Sequence, residues 1–325
     1  MHDIYQDVTD KIIAALDQGV VPWIKPWSSA GSSGPSPQPY PINAITRRPY
    51  SGINLPLLWA AAGMQGFSQD RWLTFNQAKK AGGHIRKGQR STLAVLYKPM
   101  EREEQDESGR TVLDENGNAK VVRFAILRTH FLFNVEQTEG VEAFDETPTE
   151  ADSGLPFQAN ACAEHLLLSS GARIVHKPAD MAFYHPTRDF IQLPTKAQFH
   201  DESGYYATAL HELTHWSGHY SRLQREGITS PFPFGSAGYA FEELVAEMGA
   251  AFLCAQAGIQ GELRHEDYLD FWLGLLKADK RAIFRASGQA REASEYVLGL
   301  ARALDEVADD QATSDDKDAA LVMAM

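Results

Sequence analysis

Apolar residues near the start of the chain recur with the spacing of a helix. They lie four positions apart, at Ile4, Val8, Ile12 and Leu16. This period predicts an amphipathic helix over residues 3–18, which Gly19 ends. A second, shorter helix is expected at 53–62, where apolar residues surround Pro56.

The segments that follow alternate between apolar and polar positions, which is the period of a half-buried strand. Residues 92–98 and 121–134 are expected to pair as long strands, with a turn at Asn116-Gly117 in the loop between them. A short strand at 72–74 and a short helix at 75–81 precede them. The first part of the chain is therefore predicted to be an α/β domain.

The second part of the chain has mainly helical periodicity. Helices are expected at 156–170, 207–217, 239–252, 263–285 and 288–310. Strands at 172–176 and 181–193 separate the first two helices, and a turn at 185–188 breaks the second strand. The fold class is therefore predicted to be α+β in two domains, of which the second is mostly helical.

An acidic segment with proline and glycine near its end divides the two parts and is interpreted as a linker. The predicted organisation is a first domain at 1–136, a linker at 137–155, a second domain at 156–310 and an acidic, frayed tail at 311–325.

The 325-residue chain has a net charge of −13, which is unevenly distributed. Residues 1–135 contain 16 basic and 12 acidic residues, a balance of +4, whereas the remainder contains 14 basic and 31 acidic residues, a balance of −17. This division predicts that nucleic acid contacts the first part only. We therefore expect residues 1–135 alone to bind single-stranded DNA and residues 150–325 alone not to bind it.

Cysteine usage and hydropathy indicate the cellular compartment in which the protein is expected. Cys162 and Cys254 lie in apolar helical contexts, which indicates a reduced, cytoplasmic protein without disulfides. Apolar runs are too short to cross a membrane, and the polar, acidic start of the chain does not resemble a secretion signal.

A basic stretch in the first domain predicts a nucleic-acid site. Between residues 71 and 100 there are seven Lys or Arg residues and no Asp or Glu. Cations that follow the phosphates, together with rings that stack on bases, are what single-stranded DNA requires. The candidate contacts are Lys25, Arg47, Arg48, Trp72, Phe75, Lys79, Lys80, Arg86, Lys87 and Arg90. The alternative for each ring is a place in the hydrophobic core.

An HExxH motif dominates the second domain, at His211-Glu212-Leu213-Thr214-His215. Residues four apart share one face of a helix, so His211 and His215 can bind one metal ion. Glu212 is placed to act as general base on the water that such a metal activates. The spacing of the motif therefore predicts a metal-dependent hydrolase.

A third ligand must come from elsewhere. Ser221 stands where metzincins have their third histidine, which excludes that class, and Gly218 is expected to end the helix before His219. The downstream segment resembles the gluzincin arrangement, in which a second helix carries ExxxD/E. The resemblance implies that Glu243 binds the metal and that Glu247 orients His211 or His215. Glu242, one residue away, is expected to point elsewhere.

Long motifs throughout the chain resemble the ArdC family of plasmid antirestriction proteins. They are IYQDVTDKIIAALDQGVVPWIKPW, NAITRRPYSGIN, WLTFNQAKKAGGHIRKG, YYATALHELTHWSGH and YAFEELVAEMGAAFL. The resemblance implies a single-stranded-DNA-binding domain followed by a zincin-like metallopeptidase domain. It also implies a role in protecting incoming plasmid DNA from host restriction during conjugation. The cofactor is expected to be Zn²⁺, with Mn²⁺ or Co²⁺ as alternatives, and host restriction-modification subunits are candidate substrates.

Several assignments within the second domain are left open at this stage. Tyr239 is predicted to stabilise the oxyanion, with Tyr205 and Tyr206 as alternatives. The strand at 189–193 resembles the one that pairs with substrate in zincin-like folds, and His185 is interpreted as a turn residue. The main rival hypothesis is a DNA-binding shield whose metal site is structural or vestigial. A nuclease is less favoured, because one HExxH with one acid is typical of a one-metal hydrolase.

Overall fold

The computed structural model describes residues 3–24, 39–106, 110–114, 117–141, 160–230, 232–259 and 268–323. The first half contains α1 (Ile4–Asp17), β1 (Ile42–Asn43), α2 (Asn54–Gln65), β2 (Arg71–Thr74), α3 (Phe75–Lys80), β3 (His84–Ile85), β4 (Thr92–Glu103), β5 (Val121–Asn134) and β6 (Thr138–Glu139). The predicted α/β character of this half is confirmed.

The main sheet of the first half has the strand order β1-β2-β5-β4. β4 and β5 form the predicted long antiparallel pair, and the short β1 joins β2 in parallel. The open edge of β4 is closed at Val95, whose backbone N–H donates to Oδ1 of Asn54 at 2.7 Å and whose carbonyl accepts from Nδ2 at 2.9 Å. The N-terminus of α2 therefore caps the edge of the sheet.

Residues 137–141 belong to the structure of the first half, although the linker was expected to begin there. β6 pairs with β3, and the side chain of Gln137 is buried and donates to the backbone carbonyl of Arg90 at 3.0 Å. The backbones also approach closely, because a Cβ at Gly83 would lie 2.6 Å from the carbonyl oxygen of Glu139. The rest of the expected linker, 142–155, lies outside the described residues.

The second half contains α4 (Ala161–Ser169), β7 (Ile174–Lys177), β8 (Phe183–His185), β9 (Phe190–Pro194), α5 (Glu202–Ser217), α6 (Glu226–Thr229), α7 (Ala237–Ala257), α8 (Leu269–Ala278) and α9 (Ala282–Met323). The mostly helical character and the two-part α+β fold class are confirmed. No helix among the described residues combines the length and apolar composition needed to cross a bilayer.

The two C-terminal helices differ from the prediction of 263–285 and 288–310. The break between α8 and α9 lies at Asp279, whose side chain accepts from the backbone N–H of Arg281 at 2.8 Å and so satisfies a donor at the start of α9. Gly288 lies inside α9 and does not interrupt it. α9 also continues to Met323, so residues 311–323 are helical where a frayed tail was expected.

The two halves share one hydrophobic core. Buried residues of α1, α2 and β4 form a single cluster with buried residues of α7, α8 and α9. The rings of Trp23 and Trp272 meet edge to face with centroids 5.3 Å apart, and Oγ1 of Thr9 donates to the carbonyl of Lys280 at 2.8 Å. A second cluster surrounds α5 and uses the opposite face of α7. Because α7 contributes to both clusters, fragments cut between the halves would expose apolar surface.

Candidate metal centre

The helix that carries the HExxH motif has a defined residue contact at each end. Asp201 caps α5 by accepting from the backbone N–H of Gly204 at 2.7 Å. At the other end, Gly218 has φ −79°, and a Cβ there would lie 2.8 Å from the guanidinium carbon of Arg225. Glycine is therefore needed at this position, because the following loop packs closely against it. The helix ends here, as expected.

α7 packs against α5 at very short range. A Cβ at Gly249 would lie 2.5 Å from Cγ2 of Thr214, so only glycine permits this approach. Ser236 caps α7 by accepting from the backbone N–H of Tyr239 at 3.3 Å. The contact places the first turns of α7 beside the C-terminal half of α5, which carries both histidines of the motif.

Three side chains converge between the two helices. Nε2 of His211 lies 3.2 Å from Nε2 of His215 and 3.5 Å from a carboxylate oxygen of Glu243, whose other oxygen lies 3.7 Å from His215 Nε2. The candidate ligand atoms all lie within 4.8 Å of one another. Two imidazoles and one carboxylate are the donor set of a catalytic zinc site with an open position. The residues present therefore fit a divalent cation.

The other ring nitrogens of the histidines also contact carboxylates. Nδ1 of His211 lies 3.4 Å from Glu247, which assigns Glu247 to that histidine. Nδ1 of His215 lies 3.2 Å from Oε1 of Glu242, which also accepts from Nη2 of Arg225 at 2.8 Å. Such partners fix the tautomer and orientation of a ligand histidine.

The expectation that Glu242 points elsewhere is wrong. One step along a helix rotates the side chain by about 100°, which turns Glu242 away from Glu243 and towards the end of α5, where His215 lies. Arg225, which the sequence did not single out, is 5% exposed and also donates to the carbonyl of Thr214 at 2.6 Å. No local pattern identifies Arg225, because it reaches the site through a loop.

Charges in the cluster shift its proton affinities strongly. Burial opposes the charged form of His211, but hydrogen bonds with Glu243 and Glu247 outweigh it and hold the pKa of His211 well above its usual value. Against the same burial penalty, Glu242 and Glu243 raise the pKa of His215 to about 9. Burial would raise the pKa of Glu243, but the two histidines lower it far below its usual range. The pocket therefore favours positive charge beside Glu243.

Glu212 lies in the wall of the cleft beside the cluster. It is buried, and burial raises the pKa of its carboxyl group, while the nearby histidines and a hydrogen bond with the backbone of Tyr184 oppose the shift. Tyr184 belongs to β8, so the edge of the small sheet contacts the predicted general base directly. A carboxylate with a raised proton affinity suits proton transfer near neutral pH.

The cluster opens into a cavity of about 1250 Å³. Tyr239 lines it, and its hydroxyl lies 3.2 Å from that of Tyr268, which lines it too and was not anticipated from the sequence. The alternatives to Tyr239 are excluded as cavity residues. Tyr205 and Tyr206 are buried in the core around α5, where their hydroxyls contact His176 at 3.0 Å and Glu164 at 2.7 Å.

The strand beside the cavity is β8 and not the one expected at 189–193. The small sheet has the order β7-β9-β8, so β9 (Phe190–Pro194) pairs on both edges and cannot add a further strand. β8 pairs with β9 only among the described strands, and Phe183 and Tyr184 line the cavity. His185 ends β8 and accepts from the backbone of Arg188, consistent with a turn residue, and His219 pairs with Ser221 at 2.8 Å.

The candidate DNA contacts of the first half fall into two groups. Trp72 is fully buried and donates to Asp70 at 3.2 Å, so its prediction as a stacking ring is wrong. The fold buries it because α2 covers that face of the sheet. The exposed candidates are Arg47, Arg48, Phe75, Lys79, Lys80, Arg86, Lys87 and Arg90. Lys25 lies outside the described residues.

Comparisons with known families divide the chain in the same way. Residues 2–135 match the N-terminal domain of the anti-restriction factor ArdC, and residues 161–289 match the zincin-like metallopeptidase family MPTase-PolyVal. Two proteins named DNA primase TraC, both from Escherichia coli, are 38% and 37% identical over 91% of this chain. The chain spans 20% and 27% of the length of these relatives.

Other proteins match this chain over nearly their whole length. The uncharacterised protein y4eC of Sinorhizobium fredii is 34% identical over 91% of both chains. Crystal structures of the antirestriction ArdC protein from the R388 plasmid, one metal-free and one Mn(II)-bound, are 34% identical with TM-scores of 0.72 and 0.70. The two matches cover 93% and 92% of this chain and, in each case, 98% of the R388 ArdC chain. The chain therefore belongs to the ArdC family of antirestriction proteins, with a zincin-like C-terminal domain.

Proposed function

We propose that the protein hydrolyses peptide bonds with a Zn²⁺ ion held by His211, His215 and Glu243. The observation that carries this proposal is the convergence of these three side chains beside Glu212 at a large open cavity. When bound, the ion supplies Lewis acidity, which lowers the pKa of a water molecule and polarises a carbonyl group. The Mn(II)-bound structure of the R388 protein supports a divalent ion in this family.

Residues of the chain carry out the other steps of hydrolysis. Glu212 takes a proton from the attacking water and passes it to the leaving amine. The hydroxyl of Tyr239 donates to the oxygen that becomes negative, and Tyr268 fixes the position of that hydroxyl. The edge of β8 binds the substrate backbone as an added strand. Glu242 and Glu247 hold the two histidines in orientation.

We further propose that the first half binds single-stranded DNA and that the protein protects incoming DNA from restriction during conjugation. Support comes from the exposed basic residues of the first half and from membership of the antirestriction family. The proposed site of action is the cytoplasm, and the proposed peptidase substrates are subunits of host restriction-modification systems.

A second function is favoured by one observation, the position of α7 in both hydrophobic clusters. An ion that ties α5 to α7 would stabilise the packing of the two halves without any catalysis. The protein would then protect DNA as a shield, and its metal site would be structural.

The substitution Glu212→Gln separates the two functions. It keeps the shape of the site and the ligands but removes the base. The peptidase proposal expects loss of casein-type peptide hydrolysis at unchanged metal content, with Glu226→Gln, an exposed carboxylate on α6, as the active control. Full protection of conjugating DNA by Glu212→Gln would assign protection to the shield, whereas unchanged hydrolysis by this variant would refute the assigned base.

A further inference from the structure

Two phenylalanine rings stand exposed where β2 ends. Phe75 is 56% exposed and Phe131 is 58% exposed. The register pairs Thr74, the last residue of β2, with Leu132. Phe131 precedes Leu132 on β5, and Phe75 follows Thr74 as the first residue of α3. The two residues therefore flank the same residue pair at the end of the β2–β5 ladder, although they are far apart in the sequence.

Both rings belong to the side of the sheet that carries α3. Leu132 packs with Trp72 in the cluster that α2 covers, and side chains alternate between faces along a strand. Phe131 therefore points to the opposite face. On that face Leu73 packs against Ala78 of α3, the helix that begins at Phe75.

Basic side chains lie on α3 and on the turn attached to it. Lys79 and Lys80 are exposed in the last turn of α3. The turn that carries Arg47 and Arg48 is attached to the same helix, because the side-chain amides of Asn43 and Gln77 exchange two hydrogen bonds of 3.2 Å. The sequence between residues 71 and 100, which includes α3, contains seven basic residues and no acidic residue.

We propose that Phe75 and Phe131 form a stacking platform for two bases of single-stranded DNA, while the basic side chains of α3 and its attached turn contact the phosphates. This inference rests on the proposed DNA-binding function and assigns its base contacts. A single exposed apolar residue needs no explanation, but two exposed rings that flank one residue pair, with basic side chains on the adjoining helix and turn, match the requirements of a flexible polyanion with flat bases. Stacking accepts any base, so the platform binds without sequence preference.

The test compares two oligomers of equal length and charge, a thymidine oligomer and its abasic counterpart. Fluorescence anisotropy would measure the binding of each to the full-length protein. The wild type is expected to prefer the thymidine oligomer. The variants Phe75→Leu and Phe131→Leu keep apolar bulk but lose the aromatic face, and each should reduce affinity for the thymidine oligomer by roughly 5- to 150-fold. Their affinity for the abasic oligomer should not change.

Matched controls separate the possible failures. Tyr220→Leu removes a ring that is 70% exposed in the acidic half and should leave binding unchanged. Failure of the wild type to bind either oligomer would refute the DNA-binding function itself. Binding of both oligomers with equal affinity, or a base preference that survives in the double variant, would overturn only the platform. In that case a protein partner would be the remaining occupant for these rings.

Discussion

Glu242 accepts a hydrogen bond from Nδ1 of His215 at 3.2 Å while it is paired with the guanidinium group of Arg225. Burial would raise the pKa of Glu242, but Arg225 and His215 outweigh it and lower the pKa below its usual value. The carboxylate therefore stays charged in a buried position. A loop arginine thus determines the orientation of a candidate metal ligand.

The pair leads to a prediction about stability. Arg225→Met should lower the free energy of unfolding by about 3–5 kcal/mol, because it leaves a buried carboxylate without its cation. The double variant Arg225→Met/Glu242→Gln should lose less, since no unpaired charge remains. Urea denaturation of the wild type and the variants would measure this. Additive losses in the double variant would contradict the coupling.

Metal content should depend on the three converging side chains. Ala substitution of His211, His215 or Glu243 is expected to abolish retention of Zn²⁺ after dialysis, because each removes one ligand. Glu247→Gln should weaken affinity by roughly 10- to 100-fold without abolishing it. Mass spectrometry of metal content would decide, with His84→Ala, an exposed histidine of the first half, as control. Undiminished metal in His215→Ala would rule out this ligand set.

The close approach of α5 and α7 should be sensitive to one methyl group. Gly249→Ala would bring a Cβ to 2.5 Å from Cγ2 of Thr214, so it should cost about 1–3 kcal/mol of stability and weaken metal binding. Adding Thr214→Ser removes that methyl group and should restore part of both losses. Gly274→Ala on α8, where no atom lies within 4 Å, is the control. Thermal unfolding and metal titration would measure the two effects.

Trp72 should behave as a core residue. Trp72→Ala is expected to lower the free energy of unfolding by about 3–5 kcal/mol, because it empties a fully buried indole site. The folded fraction should bind single-stranded DNA with unchanged affinity. Binding measured well below the melting temperature of the variant would check this. A loss of affinity without a loss of stability would instead identify Trp72 as a residue that contacts DNA.

The contribution of Lys79 and Lys80 should appear in the salt dependence. Replacing both by Ala should flatten the log–log dependence of affinity on salt by about one to two units, since each contact on a single strand contributes about −0.7. Lys277→Ala, an exposed lysine on α8, should leave the slope unchanged. Affinities at several salt concentrations would measure it. An unchanged slope in the double variant would exclude these two lysines as phosphate contacts.

Local patterns in the sequence determined the parts of this protein that depend on near neighbours. The four-residue spacing of His211 and His215 places both on one helical face, and the alternation in 92–98 and 121–134 defines the long strand pair. The basic side chains between Lys79 and Lys98 are likewise exposed in the structure. Helical and strand periods are set by the backbone, so these features are predictable without knowledge of the fold.

Tertiary structure alone decided which side chains meet from distant segments. A buried Trp72 and an exposed Phe131 have similar local sequences, and only the placement of α2 over one face of the sheet distinguishes them. The contact of Glu242 with His215 depends on how α7 crosses α5. The shared core of the two halves also has no local signature, because an apolar helix face does not specify its partner.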